Sequence, residues 1–283
     1  DLDEDGRPDF LALGAPPVRI LRYEAGAYRL APSALPPEAY VPAPAAAAWG
    51  DFAGDGLADL YLAGDDADAA SPFAGPRRNH LLRRRGAAFV PAPDSLLAIE
   101  GSGVACAAED LDNDGRLDLA VLQASRSRAS SRLRLFHNRG QAGFAAASPL
   151  AEEPGLGEGL VIADLDGDGD LDILALMGAI GIGDPGGGVR LYRNEQEGGR
   201  WLDVVLTGSP ASTYGATVEV TAGQLVQRRQ YWPRVVCGSA FAAPLHFGLG
   251  GAGKVDRVVV RWPSGERTVR RGLAVDGIVD FGR

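Results

Sequence analysis

Four times along the chain an acidic, glycine-bearing stretch gives way to a short apolar run. DLDEDGRPDFLAL starts at Asp1, DFAGDGLADLYLA at Asp51, DLDNDGRLDLAVL at Asp110 and DLDGDGDLDILAL at Asp164, at intervals of 50, 59 and 54 residues. The run after each acidic stretch, such as Leu117-Asp118-Leu119-Ala120-Val121-Leu122, is nearly continuous rather than alternating. That pattern predicts a strand covered on both faces. A second half then follows in each unit, over 18–32, 79–93, 132–147 and 189–201, where apolar and polar positions alternate around a Gly or Asn. This predicts a β-hairpin.

Strands apolar on both faces need neighbours on both sides, and radially stacked blades supply them. Units of 50–59 residues suit one four-stranded blade each, so the expectation is an all-β chain with β-propeller blades. Four repeats are too few for an ordinary seven-bladed ring, which predicts an open or partial propeller, or one completed by sequence upstream of Asp1. The first residue falls inside a motif, so the sequence reads as part of a longer protein.

Beyond Glu197 the repeat stops. The segments 201–207, 216–222, 224–232, 255–262 and 266–271 read as strands, with Pro263-Ser264-Gly265 as a hairpin turn. Asp203, Glu219 and Arg257 alternate with apolar neighbours, which predicts one wet face per strand and a small β-sandwich. The expected division is therefore blades over 1–197 and a sandwich over 198–283.

The acidic loops carry the candidate chemistry. In the third, Asp110, Asp112, Asp114 and Asp118 occupy positions 1, 3, 5 and 9, and Gly115 at position 6 allows the tight curl that makes them converge. Position 7, Arg116, would add its backbone carbonyl. The matching sets are Asp1, Asp3, Asp5 and Asp9 with Arg7; Asp51, Asp55 and Asp59 with Leu57; and Asp164, Asp166, Asp168 and Asp172 with Asp170. Hard oxygen donors at this spacing suit Ca²⁺. Two carboxylates about 5 Å apart repel by roughly 3 kcal/mol at an effective dielectric near 20, so such a loop must open, protonate or take a cation. Up to four Ca²⁺ ions are expected. The loop at Asp51 should bind weakest, because Ala53 replaces its second carboxylate. An EF-hand would place Glu at position 12, where Ala12, Leu62, Val121 and Ala175 stand, and strands rather than helices follow. Affinity of about 10⁻⁴–10⁻³ M, as in extracellular modules, is the expectation.

The motif D-x-D-x-D-G-x-x-D with a trailing apolar strand resembles the FG-GAP/VCBS repeats of integrin-type β-propellers, over residues 1 to about 197. That resemblance implies a structural calcium in a hairpin loop of each blade. WLDVVLTG, YGATVEVTAG, LHFGLGG and VDRVVVRWPSG, in that order from Trp201, resemble the ASPIC/UnbV domain. Ser212, Thr213 and Ala243 depart from its usual residues. The combination is similar to the cartilage acidic protein group, which implies a secreted or cell-surface location and no catalysis.

Composition changes this picture little. The net charge is −9, from 37 acidic and 28 basic residues, but 15 of the acidic residues are loop aspartates. The acidity is thus a property of the loops and indicates no basic partner. No apolar run of about 18 residues occurs, so no membrane-spanning helix is expected. Cys106 and Cys237 are too far apart in sequence for a zinc site or disulfide framework, which leaves one long-range disulfide or two free thiols. Gly248–Lys254 and Gly181–Gly186 match phosphate-loop spacings but lack a following helix, and read as turns. His80, His137 and His246 are scattered and read as structural. Arg77, Arg78 and Arg83–Arg85 read as a solvated hairpin face rather than a nucleic-acid site, having few aromatics among them. The function expected is a non-enzymatic binding or scaffold module outside the cytoplasm, with a protein or glycan partner. A lectin-like propeller or, further off, a propeller-based hydrolase or lyase are the alternatives.

Overall fold

The computed structural model describes residues 7–13, 18–31, 35, 44–64, 79–92, 96–97, 102–124, 130–147, 150, 152–178, 187–196, 198–236, 239–241 and 243–282. Asp1, Asp3, Asp5, Arg77, Arg78, Gly181–Gly186 and Cys237 lie outside them. The first blade is a three-stranded antiparallel sheet of β1 (Phe10–Ala12), β2 (Arg19–Glu24) and β3 (Ala27–Leu30). The second is a four-stranded meander of β4 (Pro44–Gly50), β5 (Asp59–Gly64), β6 (His80–Arg85) and β7 (Ala88–Pro91). The third repeats it with β8 (Ser102–Glu109), β9 (Asp118–Ala124), β10 (Ser130–Asn138) and β11 (Phe144–Ala146), and adds β12 (Glu152–Pro154) beside β10. The fourth has β13 (Leu156–Ala163), β14 (Asp172–Gly178) and β15 (Gly188–Tyr192).

Three cores separate the four blades. Leu60 and Leu62 of β5 pack with Val18 and Ile20 of the first blade, while Tyr61 and Ala63 of the same strand pack with Leu119 and Val121 of β9. Ala120 and Leu122 of β9 face Ile162, Ile173 and Ala175 of the fourth blade. Alternate residues of one strand thus serve opposite neighbours, which is why β5 and β9 are buried throughout and read as continuous apolar runs. Blades this close require small residues where backbones meet: a Cβ on Gly103 would crowd Ala63, and one on Gly157 would crowd Leu122 and Val104.

The C-terminal part is a two-layer sandwich. One layer orders β21 (Leu245–Gly250), β16 (Arg200–Thr207) and β24 (Gly277–Gly282), with β24 parallel to β16. The other orders β18 (Leu225–Gln230), β17 (Thr217–Ala222), β22 (Val255–Arg261) and β23 (Arg267–Leu273). Leu202, Val204, Phe247, Leu249 and Phe281 from the first layer interdigitate with Val218, Val220, Val258 and Val260 from the second. A short helix (Pro210–Thr213) follows β16, and a small ribbon of β19 (Arg234–Val236) and β20 (Ser239–Phe241) precedes β21. Among the described residues no helix is long and apolar enough to cross a membrane.

One expectation about the sandwich is overturned. Asp203 does not lie on a wet face: it is buried, because loops of the third and fourth blades cover that side of β16 and β21. Glu219 and Arg257 do face outward, paired with each other at 2.7 Å.

Candidate metal centres

The three described acidic loops share one backbone scaffold. In the third, Asp110 accepts the amides of Asp114 at 3.1 Å and Gly115 at 2.8 Å, and Asp114 accepts the Arg116 amide at 2.9 Å. The same bonds run from Asp55 and Gly56 to Asp51 and from Leu57 to Asp55 in the second loop, all between 2.7 and 3.1 Å. In the fourth, Gly167 and Gly169 donate to Asp164, and Asp170 to Asp168. Gly56, Gly115 and Gly169 take φ of 84°, 93° and 91°, which is why glycine occupies position 6 each time.

Position 9 does a second job. Asp118 accepts the Leu111 amide at 3.1 Å and the Asn138 amide at 2.8 Å, so its buried carboxylate ties the loop to the next hairpin strand. Asp172 does the same with Leu165 and Asn194, and Asp59 accepts the Arg84 amide at 2.9 Å.

The loops differ in which carboxylates come together. Ligand atoms of Asp110, Asp112 and Asp114 lie within 4.8 Å of one another, as do those of Asp164, Asp166 and Asp168. Asp112 and Asp118 also converge with His137, whose Nδ1 is 3.5 Å and 3.4 Å from their carboxylates. Among the described residues Asp51, Asp55 and Asp59 form no such group. Instead Arg83 pairs with Asp59 at 2.7 Å and Arg85 with Asp55 at 3.3 Å, which leaves this basic cluster engaged with its own loop. Arg116 pairs with Asp114, and Arg193 with Asp166. Of the first loop, Arg7 stacks on Tyr23, with its guanidinium 4.9 Å from the ring centre; Asp9 lies in the stretch leading into β1.

In the third loop, burial favours the neutral form of two carboxylates. Burial pushes Asp110 up to about 7. Burial, reinforced by the neighbouring Asp112 charge, pushes Asp114 up to about 6. Asp112 Oδ1 is buried and has no hydrogen-bond partner among the described residues. A carboxylate oxygen shut away from water without a donor is costly, and a hard cation among Asp110, Asp112 and Asp114 fits it.

Several residues with no apparent role in the sequence prove to be built into these loops. Asn138 donates from its side chain to the carbonyls of Phe52 at 2.9 Å and Leu117 at 3.1 Å. Asn194, one repeat on, donates to Leu111 at 2.8 Å. The signal is present in FHNRG and YRNEQ, where a basic residue and Asn end the third strand of one unit and directly follow that of the next. His137, read as structural, stands beside the third loop, and His246 reaches it from the sandwich, its Nε2 2.7 Å from Asn113 Oδ1. Trp49 packs tilted against Phe89 at 6.1 Å between the first two blades. Cys106 is a free thiol on β8.

Residues 1–62 and 122–175 match the FG-GAP-like repeat family, and residues 206–282 match the ASPIC and UnbV family. The first match takes in the loops at Asp1, Asp51 and Asp164; the loop at Asp110 falls between its two stretches. No curated protein is significantly similar to the chain.

Proposed function

The chain is an FG-GAP-like repeat protein with a C-terminal ASPIC and UnbV domain, and on that premise we propose that it is a non-enzymatic, extracellular or cell-surface scaffold stabilised by structural calcium. The observation that carries this reading is the buried, unpartnered Oδ1 of Asp112 inside the group it forms with Asp110 and Asp114. Those three side chains would hold one ion, and Asp164, Asp166 and Asp168 a second. When bound, the ion supplies the charge that offsets carboxylate repulsion. By the shared motif, Asp1, Asp3, Asp5 and Asp9 would hold a third. The loop at Asp51 is the weak site, since Ala53 leaves it one carboxylate short and, among the described residues, Asp51, Asp55 and Asp59 do not converge as the other sets do.

Location follows from affinity. Loops with dissociation constants near 10⁻⁴ M fill at extracellular calcium and stay empty in the cytosol, and binding to the native state alone stabilises it by mass action. Recognition of a protein or glycan partner would then fall on the loop surfaces of the blades. Thermal melting in chelator and in millimolar calcium, with calorimetric titration of the chelator-stripped protein, tests the reading. Three sites with dissociation constants of about 10⁻⁴–10⁻³ M, a weaker fourth and a higher melting temperature in calcium are expected. A protein that takes up no calcium in the titration and melts at the same temperature in both buffers would overturn it.

A further inference from the structure

Asn113 stands at position 4 of the third loop, which is not a ligand position, yet it is the point where three parts of the molecule meet. Its backbone is left-handed, with φ of 56°, and its side chain is buried. The side-chain amide donates to Asp170 Oδ1 at 2.8 Å and to the Gly169 carbonyl at 3.2 Å, both in the fourth loop. With two acceptors on the nitrogen side, the amide presents its oxygen to His246 of β21, whose Nε2 lies 2.7 Å away. The other ring nitrogen of His246 meets Asp203 of β16 at 2.8 Å. The Asn113 carbonyl accepts the Gly250 amide at 2.7 Å.

The surrounding residues are shaped for this junction. A Cβ on Gly248 would collide with the Asp110 carboxylate and the Asn113 backbone, and one on Gly199 would collide with Asn113. A Cβ on Gly169 would strike the Trp201 indole, which lies 21° from parallel to His246 at 6.3 Å. Arg229 of β18 reaches Glu109, the residue before Asp110, at 3.2 Å. The flat glycine surface of β21 and the residues flanking it are therefore fitted to the third loop.

We propose that the C-terminal sandwich is a cap on the Asp110 loop, with Asn113 and His246 as positioning residues that couple cation binding at the third and fourth loops to docking of β16 and β21. This inference rests on the calcium reading above. The physical link is short. Asn113 sits between Asp112 and Asp114, so fixing it fixes where two of the three converging carboxylates point. The same amide holds Asp170, at position 7 of the fourth loop. A docked sandwich thus preorganises both loops, and by linkage an ion that orders the loops must strengthen docking by the same factor.

The test is calcium titration by calorimetry on the full chain, as wild type, Asn113→Ala and His246→Gln, with hydrogen exchange of the wild type in chelator and in calcium. Asn113→Ala should weaken two of the sites about tenfold and His246→Gln should weaken them less, within the range usual for coupled sites. In the wild type, calcium should slow exchange in β16 and β21 as well as in the loops. Folded variants with wild-type calcium affinity would overturn the coupling and leave the calcium reading intact. A wild type that binds no calcium would overturn both. Should Asn113→Ala fail to fold, exchange in β21 that ignores calcium in the wild type is sufficient to reject the coupling.

Discussion

Asn138 donates its side-chain amide to the Phe52 carbonyl at 2.9 Å, across the seam between the second and third blades. One repeat later, Asn194 does the same to Leu111 across the next seam. The residue that accepts is position 2 of the preceding acidic loop in both cases. Each hairpin therefore latches the loop before it, while its own backbone amide is held by the position-9 aspartate. Loop geometry and blade stacking are one structure.

Replacing Asn138 with Ala should accordingly cost more than a surface change. It leaves the Phe52 carbonyl without the side-chain donor shown here and empties a buried polar site, for a loss of about 1–3 kcal/mol. Urea unfolding of the variant would show this as a lower midpoint at an unchanged slope. A shift below about 0.5 kcal/mol would mean that the latch is replaced by water at no cost.

The acidic loops and the strands behind them were legible in the sequence because their causes are local. Aspartates at alternate positions with Gly at position 6 dictate a turn of one shape, and Gly115 shows the positive φ that this needs. The edge strands β4 and β8, which open the second and third blades, were not legible. Ala45–Ala48 has no alternation and favours helix by propensity, yet it pairs with β5 as a strand, and Ala48 is buried in the core shared with the next blade. The Asn138 and Asn194 latches lie 20 and 22 residues after their position-9 aspartates, so a fixed spacing does not align them. The contact of His246 with Asn113 spans 133 residues and two architectures, so no local pattern announces it.

Position 2 of the loops offers a controlled comparison. Phe52 and Leu111 are 2% and 5% exposed because the following blade covers them, whereas Leu165, at the same place in the fourth blade, is 48% exposed. Leu111→Ala should cost about 2–4 kcal/mol, as for a core leucine. Leu165→Ala should stay within about 0.5 kcal/mol. Equal costs would show that the fourth blade is covered in solution on the face that is bare here.

The loop ranking can be tested by paired substitutions in calcium at about a hundred times its dissociation constant. Asp114→Ala removes one of three converging carboxylates, and with it much of a ligand contribution of about 2.7 kcal/mol. Asp55→Ala breaks an exposed pair with Arg85, worth about 0–1 kcal/mol. Melting temperatures should therefore fall clearly for the first variant and little for the second. Equal small effects would place the stabilising ion elsewhere.

Acidity supplies the last prediction, and its sign depends on calcium. Asp110 and Asp114 are raised to about 7 and about 6 in the folded chain, against 3.8 unfolded, chiefly by burial. A carboxylate raised by folding binds its proton more tightly in the native state, so its contribution is fully present below pH 4 and is lost as pH rises through 6–7. His137, raised by its bond to Asp118, acts in the same direction. Asp256 is lowered, but its effect falls below pH 4. In chelator, then, the protein should melt at a lower temperature at pH 8 than at pH 5. Calcium must displace those protons, so its stabilising effect should be small at pH 5 and grow through pH 6–7. The two melting curves, with and without calcium, should diverge as pH rises. Parallel curves across that range would show that the buried carboxylates of the third loop are not the groups that calcium engages.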